Sequence, residues 1–274
     1  MNGFFADGAV HTALAVGFLV AVVSGPVGVI TIARGQSFAG HSLSDIGTVG
    51  GSASYLLGTN VLLGFVSVNV VAAALMELAG STRARSRDVA TGIVLGAALG
   101  LAALFLHLET ESSTTGATIS VLFGSIFTLG STTLPVVGGL AAVTAVLVAV
   151  LYRPLLFSSV HPELAAARGV RTGLVGAGYL VALATAVSLS AVTIGAVLST
   201  ALLIGPAATA LRLTRHPGRA MLLAAAIGVG ETWAGVVLAY ASYYWPPAQR
   251  GWPVSFFVVT LTMAGYVGSL AVRD

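Results

Sequence analysis

A histidine and an aspartate stand four residues apart in an otherwise small and apolar stretch, SFAGHSLSDIGTVGG, from Ser37 to Gly51. On a helix, residues i and i+4 lie one above the other on the same face, about 6 Å apart along the axis. His41 and Asp45 therefore offer an imidazole nitrogen and a carboxylate to one point. Such a pair can hydrogen-bond internally and fix the seating of a helix, relay a proton, or ligate a borderline divalent cation such as zinc or manganese. Spacing leaves all three open. Glu231, in GVGETWAGV, is a third ionisable group among small and apolar neighbours. It can pair with another helix or line a pathway. His11, His216 and the neighbours His107 and Glu109 read as loop or interface residues.

The chain around these groups makes them costly. Hydrophobic residues form 57% of its 274 positions and charged residues 8%, whereas soluble domains carry about a quarter charged residues. A chain so composed cannot cover itself with a solvated surface, and the expected fold is an all-α polytopic membrane helix bundle. A charge near the bilayer centre costs about 2.5 to 3.5 kcal/mol on insertion scales, so such residues usually face the bundle interior or a water-filled path. There is no cysteine, which excludes disulfides, thiolate metal sites and cysteine nucleophiles. All twelve basic residues are arginine. Without lysine no Walker A loop can form, so any ATP must be bound by another chain, and a lysine Schiff base is excluded too. The net charge of +3 reads as arginine held in cytoplasmic loops, not as a nucleic-acid surface.

About 20 apolar residues cross a hydrocarbon core as a helix. Segments of that kind run at about 10–32, 40–57, 59–79, 89–108, 133–152, 173–190, 191–211, 219–243 and 253–271. They predict roughly nine crossings, or eight if the Gly- and Ser-rich second segment is not one. Residues 117–131, ATISVLFGSIFTLGS, are short for a crossing and read as a re-entrant helix buried in protein. The N-terminal stretch lacks a basic region and a small-residue cleavage site, so it reads as the first span and not as a removed signal. Arg83, Arg85 and Arg87, then Arg153, Arg168 and Arg171, then Arg212, Arg215 and Arg219 fall on one side of a nine-span chain, joined by Arg34 and Arg273. Only Arg250 falls on the other. The arginine bias of short cytoplasmic loops then predicts an outer N-terminus and a cytoplasmic C-terminus. Gly92, Gly96 and Gly100 recur every four residues and predict a close helix approach. Pro26 and Pro206 predict kinks. With no solenoid repeat and no linker, residues 1–274 read as one transmembrane domain.

The loop at about 153–172, RPLLFSSVHPELAAARGVRT, is different in kind. Pro162 suits the first helical position, Glu163 the positive helix end and Gly169 a C-terminal cap. They predict a short helix of about two turns with Arg168 and Arg171 beside its end. It is either a plain interfacial helix or a docking element for a cytoplasmic partner.

Four stretches together resemble the membrane permeases of ATP-binding-cassette importers for zinc, manganese and iron(II). They are SFAGHSLSDIG after the first span, LFGSI at 122–126, HPELAAARGV at 161–170 and VLSTALLIGPAATA at 197–210. The resemblance runs through nearly the whole chain. It implies a multi-pass subunit of a bacterial-type cell membrane that is not itself an enzyme and holds no permanent cofactor. Such a subunit passes a divalent metal ion and works with a cytoplasmic ATPase, an extracytoplasmic metal-binding protein and a second permease, as homodimer or heterodimer, in membrane lipid. In that family the motif commonly reads Gly-Asp-Ala-Leu-Ser-His. Here His41 stands where the aspartate is usual and Asp45 where the histidine is usual, and IGTVGG replaces the frequent Leu-Pro-Gly. The resemblance implies that His41 and Asp45 line or gate the metal path, with Glu231 a further candidate. It also implies that Pro162, Glu163, Ala166, Arg168 and Gly169 belong to a coupling helix that fits a groove on the ATPase. Two rival readings stay open: a proton-coupled secondary transporter using Asp45 or Glu231 as carrier, and an importer of the same kind for a non-metal solute. An intramembrane di-metal enzyme is disfavoured, because five scattered histidines are too few ligands.

Overall fold

A computed structural model describes residues 8–79, 84–112, 116–160, 162–246 and 251–272. Arg83, His161, Arg250 and Arg273 lie outside the described residues, as do the side chains of Arg85, Arg87 and Pro162. The long apolar runs become helices because in hydrocarbon every backbone N–H and C=O must be paired within the segment. In chain order these are α1 (Gly8–Ala33), α2 (Ser37–Leu56), α3 (Val61–Ala79), α4 (Ala84–Ser112), α5 (Gly116–Phe123), α6 (Leu134–Val160), α7 (Pro162–Ala167), α8 (Thr172–Ile194), α9 (Ala196–Leu213), α10 (Pro217–Ser242) and α11 (Val254–Ala271). Among the described residues, eight helices are long and apolar enough to cross a membrane; α2, α5 and α7 are the others.

Helix α2 has the length of a crossing but not its hydropathy. It lies among α3, α4, α8 and α9, which bury most of it, so it is a helix enclosed by its neighbours and not one of the eight apolar enough to cross by composition. Helix α5 has eight residues, about 12 Å of rise, and cannot cross. It breaks at Gly124 (φ 81°) and continues as two short 3-10 turns at Ile126–Thr128 and Ser131–Thr133. The expected re-entrant segment is therefore a short helix that buries only Ala117 and Val121, with Ile119 and Phe123 exposed, followed by irregular chain.

Helix α8 forms the middle of the bundle and is bound on several sides by side-chain hydrogen bonds. Its Ser190 hydroxyl pairs with Ser24 of α1 at 3.0 Å, its Ser188 accepts from the Asn69 amide of α3 at 2.9 Å, and its Thr185 meets Thr144 of α6 at 2.7 Å. Such interhelical bonds average only about 0.6 kcal/mol each, but they fix register where apolar contact does not. At one end, the Tyr179 hydroxyl of α8 donates to Thr31 of α1 at 3.0 Å, and the Arg34 guanidinium stacks over the Tyr179 ring at 5.1 Å. Arg34 also donates to Ser158 of α6 at 3.4 Å. The α1–α2 turn is thereby tied to both helices that flank α7.

Two expectations about boundaries are corrected. The division between the sixth and seventh spans falls at Gly195, not at 190/191, because only the positive φ of Gly195 (91°) breaks the helix there. Helix α6 continues through Pro154 to Val160, so the connection to α8 is shorter than the expected loop at 153–172. A third correction concerns glycine. A Cβ on Gly92, Gly96 or Gly100 would meet nothing within 4 Å, so among the described residues that stripe of α4 receives no helix. The close approaches lie elsewhere: Gly50 of α2 against the Gly64 carbonyl of α3 and the reverse, Gly25 of α1 against the Ala225 backbone of α10, and Gly28 of α1 against the Leu203 carbonyl of α9. Pro26 and Pro206 lie inside α1 and α9, which continue through them.

Gly50→Val inserts a branched side chain where α2 and α3 touch backbone to backbone, and overpacking of this kind costs about 1 to 3 kcal/mol. The expected result is a thermal midpoint lowered by several degrees in purified protein, with Gly96→Ala unchanged or slightly raised. Equal midpoints for wild type and Gly50→Val would show that the crossing is looser than described.

Candidate functional site

The His41 and Asp45 pair sits on the open side of α2. Apart from Ser37, Ala39 and Tyr55 near its ends, the residues of this helix left partly or fully exposed recur at helical spacing: Phe38, His41, Asp45, Val49, Ala53 and Leu56. His41 has 49% of its side chain exposed and Asp45 16%, with Nε2 and Oδ2 3.6 Å apart. That is wide for a hydrogen bond, which prefers 2.7 to 3.2 Å. It is close to the separation of two ligands on one tetrahedral ion, about 3.4 Å for bonds near 2.1 Å. The pair is therefore not closed on itself by a hydrogen bond.

Helix α9 supplies what holds the pair. The positive φ of Gly195 ends α8 and lets α9 begin again at once. That places the first turn of α9 beside the middle of α2, where the Ser44 hydroxyl meets both the Ala196 carbonyl and the Ser199 hydroxyl. One residue further, the Thr200 hydroxyl stands 3.4 Å from His41 Nδ1. With the Nδ1 proton donated to Thr200, the Nε2 lone pair is free to accept a cation, whereas the opposite tautomer turns an Nε2 proton toward Asp45; Thr200 is the kind of outer partner that orients an imidazole. The break itself is sealed by α5: a Cβ on Gly124 would strike the Thr193 carbonyl and the Gly195 nitrogen, and one on Gly195 would strike Leu122 and Phe123. The two glycine turns interlock, and neither tolerates a side chain.

One chain offers only two strong ligands here. Among the described residues no group of three or more His, Cys, Asp or Glu could hold a metal ion. Glu231 does not join the pair. It is 8% exposed and faces α11, where Thr262 donates to its Oε2 at 2.6 Å while Oε1 has no hydrogen-bond partner. Thr262 in turn packs on Gly205 of α9, so Glu231 joins α10, α11 and α9 away from α2. Ser44, Ser199 and Thr200 were not singled out from the sequence, although they lie within two of the stretches that carried the resemblance.

Helix α7 has the form that the sequence predicts. Its end is a left-handed glycine cap: Gly169 has φ 81°, its N–H donates to the Ala166 carbonyl and the Val170 N–H to Ala165. Ala165 is buried, while Glu163, Leu164, Ala166 and Arg168 are exposed. The Arg168 guanidinium rests over the Phe157 ring of α6 at 5.6 Å, which fixes the short helix to the end of α6. Leu164, 53% exposed at its tip, is an apolar contact point that the sequence reading did not name.

Residues 7–269 match the ABC 3 transport family. The chain is 30% identical over 238 residues to the manganese import system permease protein ScaB of Streptococcus parasanguinis, covering 86% of this chain and 82% of that protein. It is 30% identical over 241 residues to the manganese transport system membrane protein MntC of Listeria innocua, covering 88% and 85%. It is 28% identical over 206 residues to the high-affinity zinc uptake system membrane protein ZnuB of Haemophilus influenzae, covering 75% and 78%. Its fold is similar to a chain of PsaBC from Streptococcus pneumoniae solved in complex with Fab, with a TM-score of 0.84 at 24% identity over 98% of this chain and 93% of that one.

Ser44→Ala removes the hydroxyl that seats the first turn of α9 on α2, while Ser199 still donates to the Ala196 carbonyl at 3.1 Å, so the loss is that of one hydrogen bond, about 0.5 to 1.5 kcal/mol. A lowered thermal midpoint with the helix content unchanged by circular dichroism is the expected result, and an unchanged midpoint contradicts the assigned role.

Proposed function

Because the chain belongs to the ABC 3 transport family, we propose that it is the membrane permease of an ATP-driven importer for a divalent transition metal ion, manganese or zinc, with iron(II) a further candidate. The observation that carries the reading is the His41 and Asp45 pair, 3.6 Å apart on the uncovered face of α2. An imidazole, a carboxylate and a neighbouring hydroxyl form a donor set suited to borderline and harder divalent ions. Two ligands are too few for a permanent cage and suit an ion that must leave again. A second permease, identical or related, closes the open face and brings a second set of ligands to the path. The relatives named for manganese at 30% identity favour manganese as the first ion to test.

Residues 1–274 act as one transmembrane unit in this reading. The N-terminus lies outside and the C-terminus in the cytoplasm, supported by Arg34, Arg153, Arg168, Arg212, Arg215 and Arg219 toward one end. Tyr243, Tyr244, Trp245 and Trp252 lie exposed at the other, as an interfacial aromatic belt does. Helix α7, with Pro162, Glu163, Ala166, Arg168 and Gly169, docks a cytoplasmic ATPase, and an extracytoplasmic binding protein delivers the ion to the opposite face.

Two sets of variants separate these roles. His41→Ala and Asp45→Ala lower manganese or zinc uptake by at least about tenfold in cells, while the ATPase still co-purifies; normal uptake in both removes the gate assignment. Glu163→Arg and Gly169→Trp instead release the ATPase, and a full ATPase complement on those variants removes the docking assignment. Metal transport by the purified chain alone under a proton gradient would favour a secondary transporter.

A further inference from the structure

At the arginine-bearing end of the bundle, α9 stops at Leu213 and α11 at Ala271, and the two ends enclose a cavity of about 180 Å³ lined by Arg212, Leu213, Thr214, Arg215 and Val272. The Arg212 guanidinium is held over the Tyr266 ring of α11 at 6.0 Å. Its Nε is shut off from solvent and has no hydrogen-bond partner, a costly state for a charged donor. Arg215 is exposed. Among the described residues the ion pair found is His41 with Asp45, so neither arginine is paired with a described carboxylate. The Thr214 hydroxyl accepts from the His216 N–H at 3.3 Å and keeps its own proton to donate. The cup thus brings together two guanidinium groups and a hydroxyl, with no carboxylate among the described residues that line it and with Arg212 Nε lacking an acceptor. The negative end of α9 accounts for one arginine in its last turn. It does not account for the cavity or for the orphaned Nε.

The walls of the cup say which anion fits. Helix α11 packs principally on α9 and α10, and its outer face shows Met263, Val267, Leu270 and Val272, each 41% exposed or more, running up to the rim. A ligand with a phosphate in the cup and an apolar tail along α11 satisfies both surfaces. Guanidinium binds phosphate oxygens in a planar, two-pronged geometry that other donors do not offer. We propose that this cup binds the headgroup phosphate of an anionic phospholipid, whose acyl chains lie along the exposed face of α11. This site is independent of the metal path on α2 and does not rest on the metal reading.

The full chain is purified in mild detergent, exchanged into vesicles of phosphatidylethanolamine with added phosphatidylglycerol, re-extracted, and its retained lipid counted by native mass spectrometry. Each arginine is expected to contribute about fivefold to anionic lipid retention. Arg215→Gln should therefore lower retained phosphatidylglycerol about fivefold, and Arg212→Gln with Arg215→Gln further, with phosphatidylethanolamine unchanged and Arg153→Gln at the wild-type level. Arg215 is exposed, so its single variant keeps the test valid if the double variant does not fold. Phosphatidylglycerol retained equally by Arg215→Gln and wild type overturns the proposal. So does an equal loss in Arg153→Gln, or displacement of the lipid by inorganic phosphate at equimolar concentration, which would mark a free-phosphate site. Release of the ATPase from Arg215→Gln with lipid unchanged would mark a protein contact and also overturns it.

Discussion

The structure depends on keeping α2 against the backbones of its neighbours. With SFAGHSLSDIGTVGGSASYL as its sequence, this helix carries too little apolar surface to stand in lipid, and its serines and threonines must find acceptors inside the protein. Ser42 and Ser52 donate to carbonyls of their own helix, and Ser44 reaches α9. The remaining polarity is sheltered by closeness. Gly50 and Gly64 let α2 and α3 touch at backbone distance, while Gly47 and Gly51 lie against Asn69 and Phe65 of α3. Small residues therefore do here what leucines do in the outer helices, because close approach replaces hydrocarbon contact with van der Waals contact between chains. A helix held this way can carry ionisable groups on the one side it leaves open.

The same constraint explains where regular structure is given up. At Gly195 one long rod becomes two helices, and at Gly124 a short helix turns back; the broken backbones meet each other instead of lipid. Non-helical backbone is tolerated at membrane depth only where protein or a water-filled cavity surrounds it. The break then serves the site, since the first turn of α9 starts beside Ser44 and brings Thr200 to His41. At the other end, Arg34 joins the α1–α2 turn to Tyr179 and Ser158. The helix bearing the pair is thus mechanically continuous with α6 and α8, between which α7 is suspended.

Much of this was legible in the residues. Apolar runs of crossing length predict the helices, and Pro162, Glu163 and Gly169 predict α7 and its cap, because capping is local chemistry between residues a few positions apart. The i, i+4 spacing predicts that His41 and Asp45 share a face. What the sequence hides is tertiary. Gly92, Gly96 and Gly100 have the spacing of a helix contact and meet nothing, whereas Gly50 and Gly64 make one without a repeating motif, since only the partner's position decides which glycine is used. The break at Gly195 lies a few residues beyond the expected boundary at 190/191, and Ser188, Ser190 and Thr193 near that boundary do not end the helix. They are instead hydroxyls bonding within and across a buried helix. Thr200 could have been found by asking which hydroxyls follow a helix break.

Exchange of the histidine and the acid relative to the family's usual order has a simple physical consequence. Two ligands one turn apart keep the same bite when they are exchanged, because helix geometry sets their separation and not their order. What moves is the charge, by about 6 Å along the helix axis. With the acid one turn further along α2, its side chain is 16% exposed against 49% for the imidazole, so the carboxylate is the more buried of the two. Coulomb attraction strengthens as the surroundings lose water, so in the proposed metal path the more buried carboxylate would be the firmer hold on a dehydrated cation and the exposed imidazole the weaker one. Under the proposed function, the order of the two residues would set which end of the pair holds an ion more tightly, while their spacing would set whether the pair can hold one at all.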